Sequence, residues 1–345
     1  MRGPWSIIPP YMLAHIARHG TPAEQARAER TLAASQLLRA DRAAVAGGPT
    51  AAGTGPTGSA QVTIYDAEGT TRLPGRKVRG NDDPPTGDPA VDEAHDGLQA
   101  TLDLYADEFG RNSLDGRGMD IDASVHYGRK YDNAAWTGSQ MIFGDGDGTL
   151  FNRFTIAIDV MGHELTHGVT QYTAGLEYQG QSGALNESVS DAFGAMVRQR
   201  SASPRQSAAD ADWLIGAGLF AEGVQAVALR SMKEPGTAYD DPRLGKDPQP
   251  ASMDDYVTTS EDNGGVHINS GIPNRAFALA AVGLGGYTWE KAGQIWYATL
   301  TDEDLPATAT FVQFARRTVT HATRLFDDTV ASAVSDAWRQ VGVLP

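Results

Sequence analysis

The stretch VMGHELTHGVTQY, residues 160–172, places His163, Glu164 and His167 within five positions. On a helix, residues four apart lie on the same face, about one turn apart. His163 and His167 can therefore aim two imidazoles at a single ion. Glu164 lies about 100° round the same helix, where its carboxylate reaches a water held by that ion without ligating the ion itself. Two unrelated histidines on an ordinary helix are the competing explanation. With eight histidines in 345 residues, a chance match to this spacing is on the order of one in a hundred. The spacing points to zinc, with Glu164 as its general base.

A catalytic zinc needs a third protein ligand and keeps one position open. The chain has no cysteine, so a His, Asp, Glu or carbonyl oxygen must supply it. SGALNESVSDAFGAM, residues 182–196, offers Glu187 on a second helix twenty residues after His167. Asp191 lies four residues further, on the face of Glu187. It suits the carboxylate that takes the other N–H of a ligating imidazole, here His163. A third stretch, EDNGGVHINSG, residues 261–271, brings His267 behind two glycines, with Asp262 five residues earlier. A lone His in a glycine-bounded segment is more often structural; in company with the zinc motif it reads instead as a stabiliser of the oxyanion of peptide hydrolysis, oriented by Asp262.

Working outward, the chain divides into a pro-segment, a β-rich half and a helical half. Hydrophobic content of 41% and charged content of 21% describe a globular protein. A net charge of −15 argues against nucleic acid or anionic membrane as the main partner. No stretch approaches the ~20 apolar residues of a membrane span. The apolar run of MRGPWSIIPPYMLAHIARHG is broken by Pro9 and Pro10, which is unlike a secretory signal. Synthesis in the cytoplasm is expected, with any export by a non-classical route. Thr21, Pro22 and Glu24 read as a capped helix start, and an Ala/Glu/Arg-rich helix follows. GGPTAAGTGPTGSA, residues 47–60, is a linker. The expected division is a pro-segment over 1–50 with linker to about 60, a β-rich domain over 61–178 including the opening helix, and a helical domain over 179–345. Val62, Ile64 and the Glu68-Gly69 turn predict a hairpin. Helices are predicted over 89–109, 184–200, 273–284, 288–299, 308–323 and 327–341 from their three- and four-residue apolar spacing.

Four separated blocks carry a family resemblance. They are NAAWTGSQMIFGDGDG (133–148), residues 160–194 from VMGHELTHG to SVSDAFG, LRSM (229–232) and DNGGVHINSGIPNRAFALA (262–280). Together they resemble the thermolysin family of zinc metallopeptidases, the gluzincins. The resemblance runs from about residue 62 to the C-terminus. IIPPYMLAHIARHG, residues 7–20, resembles the compact pro-segment of the protealysin-like branch. The resemblance implies an α+β, thermolysin-like two-domain fold with the active-site cleft between the domains. It implies a zinc-dependent endopeptidase made as a latent precursor, with zinc held by His163, His167 and Glu187. Glu164 would activate the zinc-bound water and pass its proton to the leaving amine. Tyr178 and His267 would hydrogen-bond the oxyanion, with Asp262 orienting His267. Asn133, the Ala134 carbonyl and Arg230 would align the substrate main chain. Phe151, Phe154, Val160, Ile215, Leu219 and Leu229 would form the pocket after the scissile bond, so cleavage is expected before bulky hydrophobic residues. Its partners would be peptide or protein substrates and its own pro-segment, acting as a monomer. The linker would be cut within 47–61, and IIPPYM would lie near the cleft beforehand.

The chain also departs from that pattern. The family's paired calcium site keeps Asp159 and Asp212 but has Arg198, Leu214 and Ala217 at other ligand positions. Ala221 and Val227 stand where a further calcium loop has oxygen side chains. Weaker calcium dependence is expected, with the double site degraded. Thr137 replaces the usual Asn of the substrate-binding edge, and the insertion 239–256 could shape the cleft before a His267 strand. GDGDG (144–148) reads as a structural turn, His126 as core and His321 as surface. His15 and His19 receive no catalytic role. Two other functions compete with this reading. An aminopeptidase of a related clan needs an acidic site for a free amine, and no such motif is present. A catalytically inactive, peptidase-derived binding scaffold would have lost Glu164 or His267, and both remain.

Overall fold

A computed structural model describes residues 5–45 and 60–345. Apart from Ala60, the expected processing linker lies outside them. Six strands form one mixed sheet: β1 (Trp5–Ser6), β2 (Val62–Asp66), β3 (Arg76–Arg79), β4 (Ile121–Val125), β5 (Ala134–Trp136) and β6 (Met141–Phe143), in the order β1-β5-β6-β4-β2-β3. The alternation at Val62 and Ile64 does make a hairpin, β2 with β3, but β2 also pairs in parallel with β4. Two helices, α1 (Pro10–His19) and α2 (Pro22–Val45), precede β2, and the crossover from β2 to β4 carries β3 and then α3 (Pro89–Phe109). Asp88 caps α3 by accepting from Ala90 N–H, Pro89 opens it, and Gly110 closes it at φ 62°.

The opening motif lies on α4 (Ile158–Gln171), packed against α5 (Gly180–Ser201). Both are buried along most of their length, so each needs a neighbour it can approach closely. A Cβ on Gly162 would lie 2.9 Å from Gly194 Cα. Bare glycines facing each other let the two backbones come near enough for side chains of both helices to share one ion. The Tyr105 hydroxyl lies 2.8 Å from that of Thr166, tying α3 to α4.

Short strand pairs follow: β7 (Leu214–Ile215) with β8 (Arg230–Ser231), and β9 (Asp240–Asp241) with β10 (Gly245–Lys246). The second pair forms the tip of the 239–256 insertion. The rest is helical: α6 (Asp262–Asn269), α7 (Gly271–Leu284), α8 (Ala292–Leu300), α9 (Phe311–Leu325) and α10 (Asp328–Gln340). Trp296 stacks on Trp338 at 5.9 Å, with Phe277 and Phe314 edge-on to Trp296. These rings fill the core between α7, α8, α9 and α10.

Three expectations are corrected. The His267 stretch is not a strand. Asp262, Asn263, Gly264 and Gly265 have φ of 50°, 50°, 83° and 75°, a left-handed turn that makes up the first half of α6 before its regular helical part. His126 is not in the core. β4 ends at Val125, and His126 turns out at φ 51° to place its ring between Asp145 (2.9 Å) and Asp88 (3.1 Å). His321 is not ordinary surface: it is 9% exposed, with Nε2 3.0 Å from Asp302.

Candidate metal centre and cleft

His163, His167 and Glu187 converge, with one ligand atom from each within 4.8 Å of the others. Asp191 accepts from His163 Nδ1 at 2.8 Å, and Asn186 Oδ1 accepts from His167 Nδ1 at 2.7 Å. Asn186 spends its own N–H₂ on the Leu176 carbonyl, which fixes its oxygen as the acceptor. Both imidazoles thus carry their proton on Nδ1 and turn a lone pair inward. The two Nε2 atoms face each other at 3.0 Å, and the Glu187 carboxylate lies 3.5 and 3.4 Å from them. Glu187 Oε2 is buried with no hydrogen-bond partner. Acceptors packed this closely repel one another unless a cation sits among them. Two His and one carboxylate are a catalytic zinc set, so the residues fit the ion.

Asp191 anchors this centre from behind. It also accepts from Arg230 Nη2 (2.7 Å), Arg230 Nε (2.8 Å) and Asn274 Nδ2 (2.8 Å). Burial alone would raise its carboxyl, but Arg230 and His163 outweigh burial and hold it well below the usual range. Glu164 is fully buried beside His163, and its Oε2 accepts from Trp136 N–H of β5 at 2.8 Å. On the far side, Tyr178 donates to Glu187, and its oxygen lies 3.1 Å from His267 Nε2. Asp262 takes both the ring N–H (2.6 Å) and the main-chain N–H (2.8 Å) of His267. Burial pulls the His267 pKa down, but Asp262 and Glu187 together raise it. Glu164, Tyr178, His267 and Asp262 thus lie around the His163–His167–Glu187 cluster.

Of the remaining expected residues, six lie together in the buried core and three meet the pro-segment. Ile215 pairs with Arg230, Phe151 bridges Phe220, and the Phe151 and Phe154 rings lie 5.8 Å apart. Phe151, Phe154, Val160, Ile215, Leu219 and Leu229 are all buried in one apolar core, which also includes Ile7 and Ile8. Asn133 and Ala134 sit at the open edge of the sheet, and the pro-segment occupies that edge. β1 pairs antiparallel with β5, Trp5 opposite Trp136 and Ser6 opposite Ala135. Ile7 N–H donates to the Ala134 carbonyl at 3.1 Å, and Ile8 N–H to Asn133 Oδ1 at 2.9 Å. Arg230 Nη1 donates to the Ile7 carbonyl at 3.3 Å. Beyond this strand, Arg27 pairs with Asp147, Ser35 lies 3.1 Å from the Tyr131 hydroxyl, and Glu24 lies 3.6 Å from Arg243 of the insertion. GDGDG is a turn, closed by Asp147 on the N–H groups of Thr149, Leu150 and Phe151.

At the far end of α5, Arg198 donates to Asp212 (3.0 and 2.7 Å) and to the Leu214 carbonyl (2.9 Å), 3.8 Å from buried Asp159. A guanidinium already stands among these oxygens, so the residues do not fit a calcium pair. Among the described residues, His163, His167 and Glu187 form the only group of three or more candidate ligands. Sequence reasoning missed Asn186, Asn274 and Ser190, whose hydroxyl lies 3.0 Å from His167 Nδ1. Asn186 and Ser190 flank Glu187 and Asp191 on one helix, which was a usable signal. Asn274 offered none.

Comparisons with known proteins agree with this geometry. The model of the thermolysin metallopeptidase catalytic domain matches residues 54–171, and that of the thermolysin metallopeptidase alpha-helical domain matches 174–343. An extracellular metalloprotease of Pectobacterium carotovorum subsp. carotovorum is 54% identical over 98% of this chain and 96% of its own length. Protease PrtS of Photorhabdus sp. (strain Az29) is 50% identical over 98% of this chain and 91% of its own. The solved precursor of protealysin, a metalloproteinase from Serratia proteamaculans, superposes with a TM-score of 0.90 at 55% identity, over 98% and 99% of the two chains. The chain belongs to the thermolysin family of metallopeptidases and is a zinc metalloendopeptidase that carries a precursor segment.

Proposed function

We propose that the enzyme cleaves peptide bonds on the N-terminal side of bulky hydrophobic residues, with Glu164 as general base and acid. The observation that carries this is the position of Glu164: next to ligand His163, fully buried, and oriented by Trp136 N–H of the cleft edge. When bound, zinc polarises the scissile carbonyl and lowers the pKa of water to about 7. Glu164 takes the proton of the attacking water and hands it to the departing amine. Tyr178 and His267 donate to the oxygen that becomes negative, and Asp262 holds the His267 ring for that purpose. Asn133, the Ala134 carbonyl and Arg230 hold the substrate strand. The six apolar residues at 151, 154, 160, 215, 219 and 229 select the side chain after the cut.

The division into a β-rich domain over 61–178 and a helical domain over 179–345, with residues 1 to about 50 removed by a cut in the linker, is part of this reading. So is action as a monomer. No described helix is long and apolar enough to cross a membrane. The name of the Pectobacterium relative is the support for placing the mature enzyme outside the cell. The test is digestion of an unstructured protein by the chain freed of its pro-segment, with the cut bonds mapped. Leu, Ile, Val and Phe should follow most cuts. Cuts without that preference would refute the pocket, and binding without cutting would favour a scaffold.

A further inference from the structure

The pro-segment does more than cover the cleft. Its strand bonds the same three residues proposed above to hold a substrate, Asn133, Ala134 and Arg230. Ala134 O accepts from Ile7 N–H, Arg230 donates to Ile7 O, and the Asn133 side chain accepts from Ile8 N–H (2.9 Å) and donates to Ile8 O (3.4 Å). One residue earlier, Ser6 stands opposite Ala135, and Trp5 opposite Trp136. Trp136 is the residue whose N–H holds Glu164, and Arg230 shares Asp191 with ligand His163. The amide joining Ser6 to Ile7 thus runs between β5, whose Trp136 N–H holds Glu164, and Arg230, which shares Asp191 with His163. Ile7 is fully buried with the six apolar residues, and Ser6 is 2% exposed.

We propose that the enzyme hydrolyses its own Ser6–Ile7 bond while the pro-segment is seated. This rests on the peptidase reading given above and is separate from any cut in the linker. Water adds to the Ser6 carbonyl carbon, and its proton passes through Glu164 to the Ile7 nitrogen. The C–N bond breaks, leaving a Ser6 carboxylate and an Ile7 ammonium, with one water consumed. Neighbouring bonds are disfavoured. A shift of one residue would turn every side chain of the strand to the other face. A shift of two would put Pro9 opposite Ala134, where it has no N–H to give. Residues 7–45 stay held after the cut by Arg27–Asp147, Ser35–Tyr131 and Ile8–Asn133. The new Ile7 amine therefore stays seated at Ala134 and Arg230, and the cleft stays blocked whether or not residues 1–6 leave. Latency and cleavage at this bond are compatible.

The experiment uses the full chain, purified in chelator, given zinc, and followed by intact and peptide mass under denaturing conditions. The expected result is release of residues 1–6 and a new N-terminus at Ile7. The fraction cut should not depend on chain concentration, and no cut should appear in chelator or in Glu164→Ala. Ile7→Leu should retain the cut, and Ile7→Asp should slow it at least tenfold. In parallel, chain freed of its pro-segment by an added protease is offered an unstructured protein. If that protein is cut while Ser6–Ile7 stays whole, the proposal falls and the peptidase reading stands. If neither is cut, both fall. A new N-terminus at Ile8 instead would overturn the register.

Discussion

The two ends of α5 solve one problem in opposite ways. Near its start, Glu187 joins His163 and His167 in a buried cluster of converging acceptors. Near its end, Asp159 and Asp212 meet Arg198, a cation built into the chain. Buried carboxylates need a positive partner. A covalently tethered guanidinium bonds those oxygens and offers no coordination position for chemistry. An exchangeable ion leaves a coordination position for chemistry. The comparison teaches that a metal site is recognised by what its neighbours fail to supply, as much as by its ligands.

Several changes would break or sharpen this contrast. The largest effect is expected at Glu164→Ala, which leaves all three ligands in place. Turnover should fall by about 10²–10⁴-fold with zinc content unchanged; equal turnover would remove Glu164 from the chemistry. His267→Ala should cost roughly 100-fold in turnover with little change in zinc, as for loss of an oxyanion donor. Steady-state rates on one peptide, read beside metal content, check both. Asp191→Asn keeps the shape but weakens the hold on His163, so zinc affinity should drop by about 10–100-fold in a competition titration.

At the other end of the helix the readout is stability rather than rate. Arg198→Ala leaves Asp159 buried without its cation and should cost about 1–3 kcal/mol, discounted because Arg198 is 30% exposed. Millimolar calcium should leave the melting temperature of the parent chain unchanged; a clear rise would mean that the guanidinium does not replace the ion. A third, titratable cation gives the smallest effect. Hydrogen bonding to Asp145 raises the His126 pKa to about 9, against burial and with help from Asp88. Its contribution is fully present below its ordinary pKa of 6.5 and is lost as pH rises through about 9. His126→Ala should flatten that part of the stability profile measured by denaturant titration.

Much of the centre was legible because its spacings are local. His163 and His167 are one turn apart on α4, and Glu187 and Asp191 one turn apart on α5, so helix periodicity alone places each pair. The pairing between the two helices is not local, and there the four resembling blocks carried the reading. What stayed illegible depends on distant partners or unusual backbone. Ile8 and Asn133 are 125 residues apart, and nothing in a two-residue strand before Pro9 and Pro10 signals its place on the sheet edge. VHY looked like strand interior, yet His126 leaves the strand through a positive φ to reach Asp88 and Asp145. The left-handed run from Asp262 to Gly265 let Asp262 turn back on His267, which a strand reading could not foresee. Four successive residues near φ 50–83° are rare enough that local pattern does not predict them.

The most direct test of the central claim is zinc stoichiometry read together with cleavage. The chain freed of its pro-segment would be assayed for bound metal and for hydrolysis of one peptide, before chelation, after it, and after zinc is returned. One zinc per chain, lost with activity and restored with it, is the predicted result. Cleavage that persists in a chain shown to hold no metal would contradict the account.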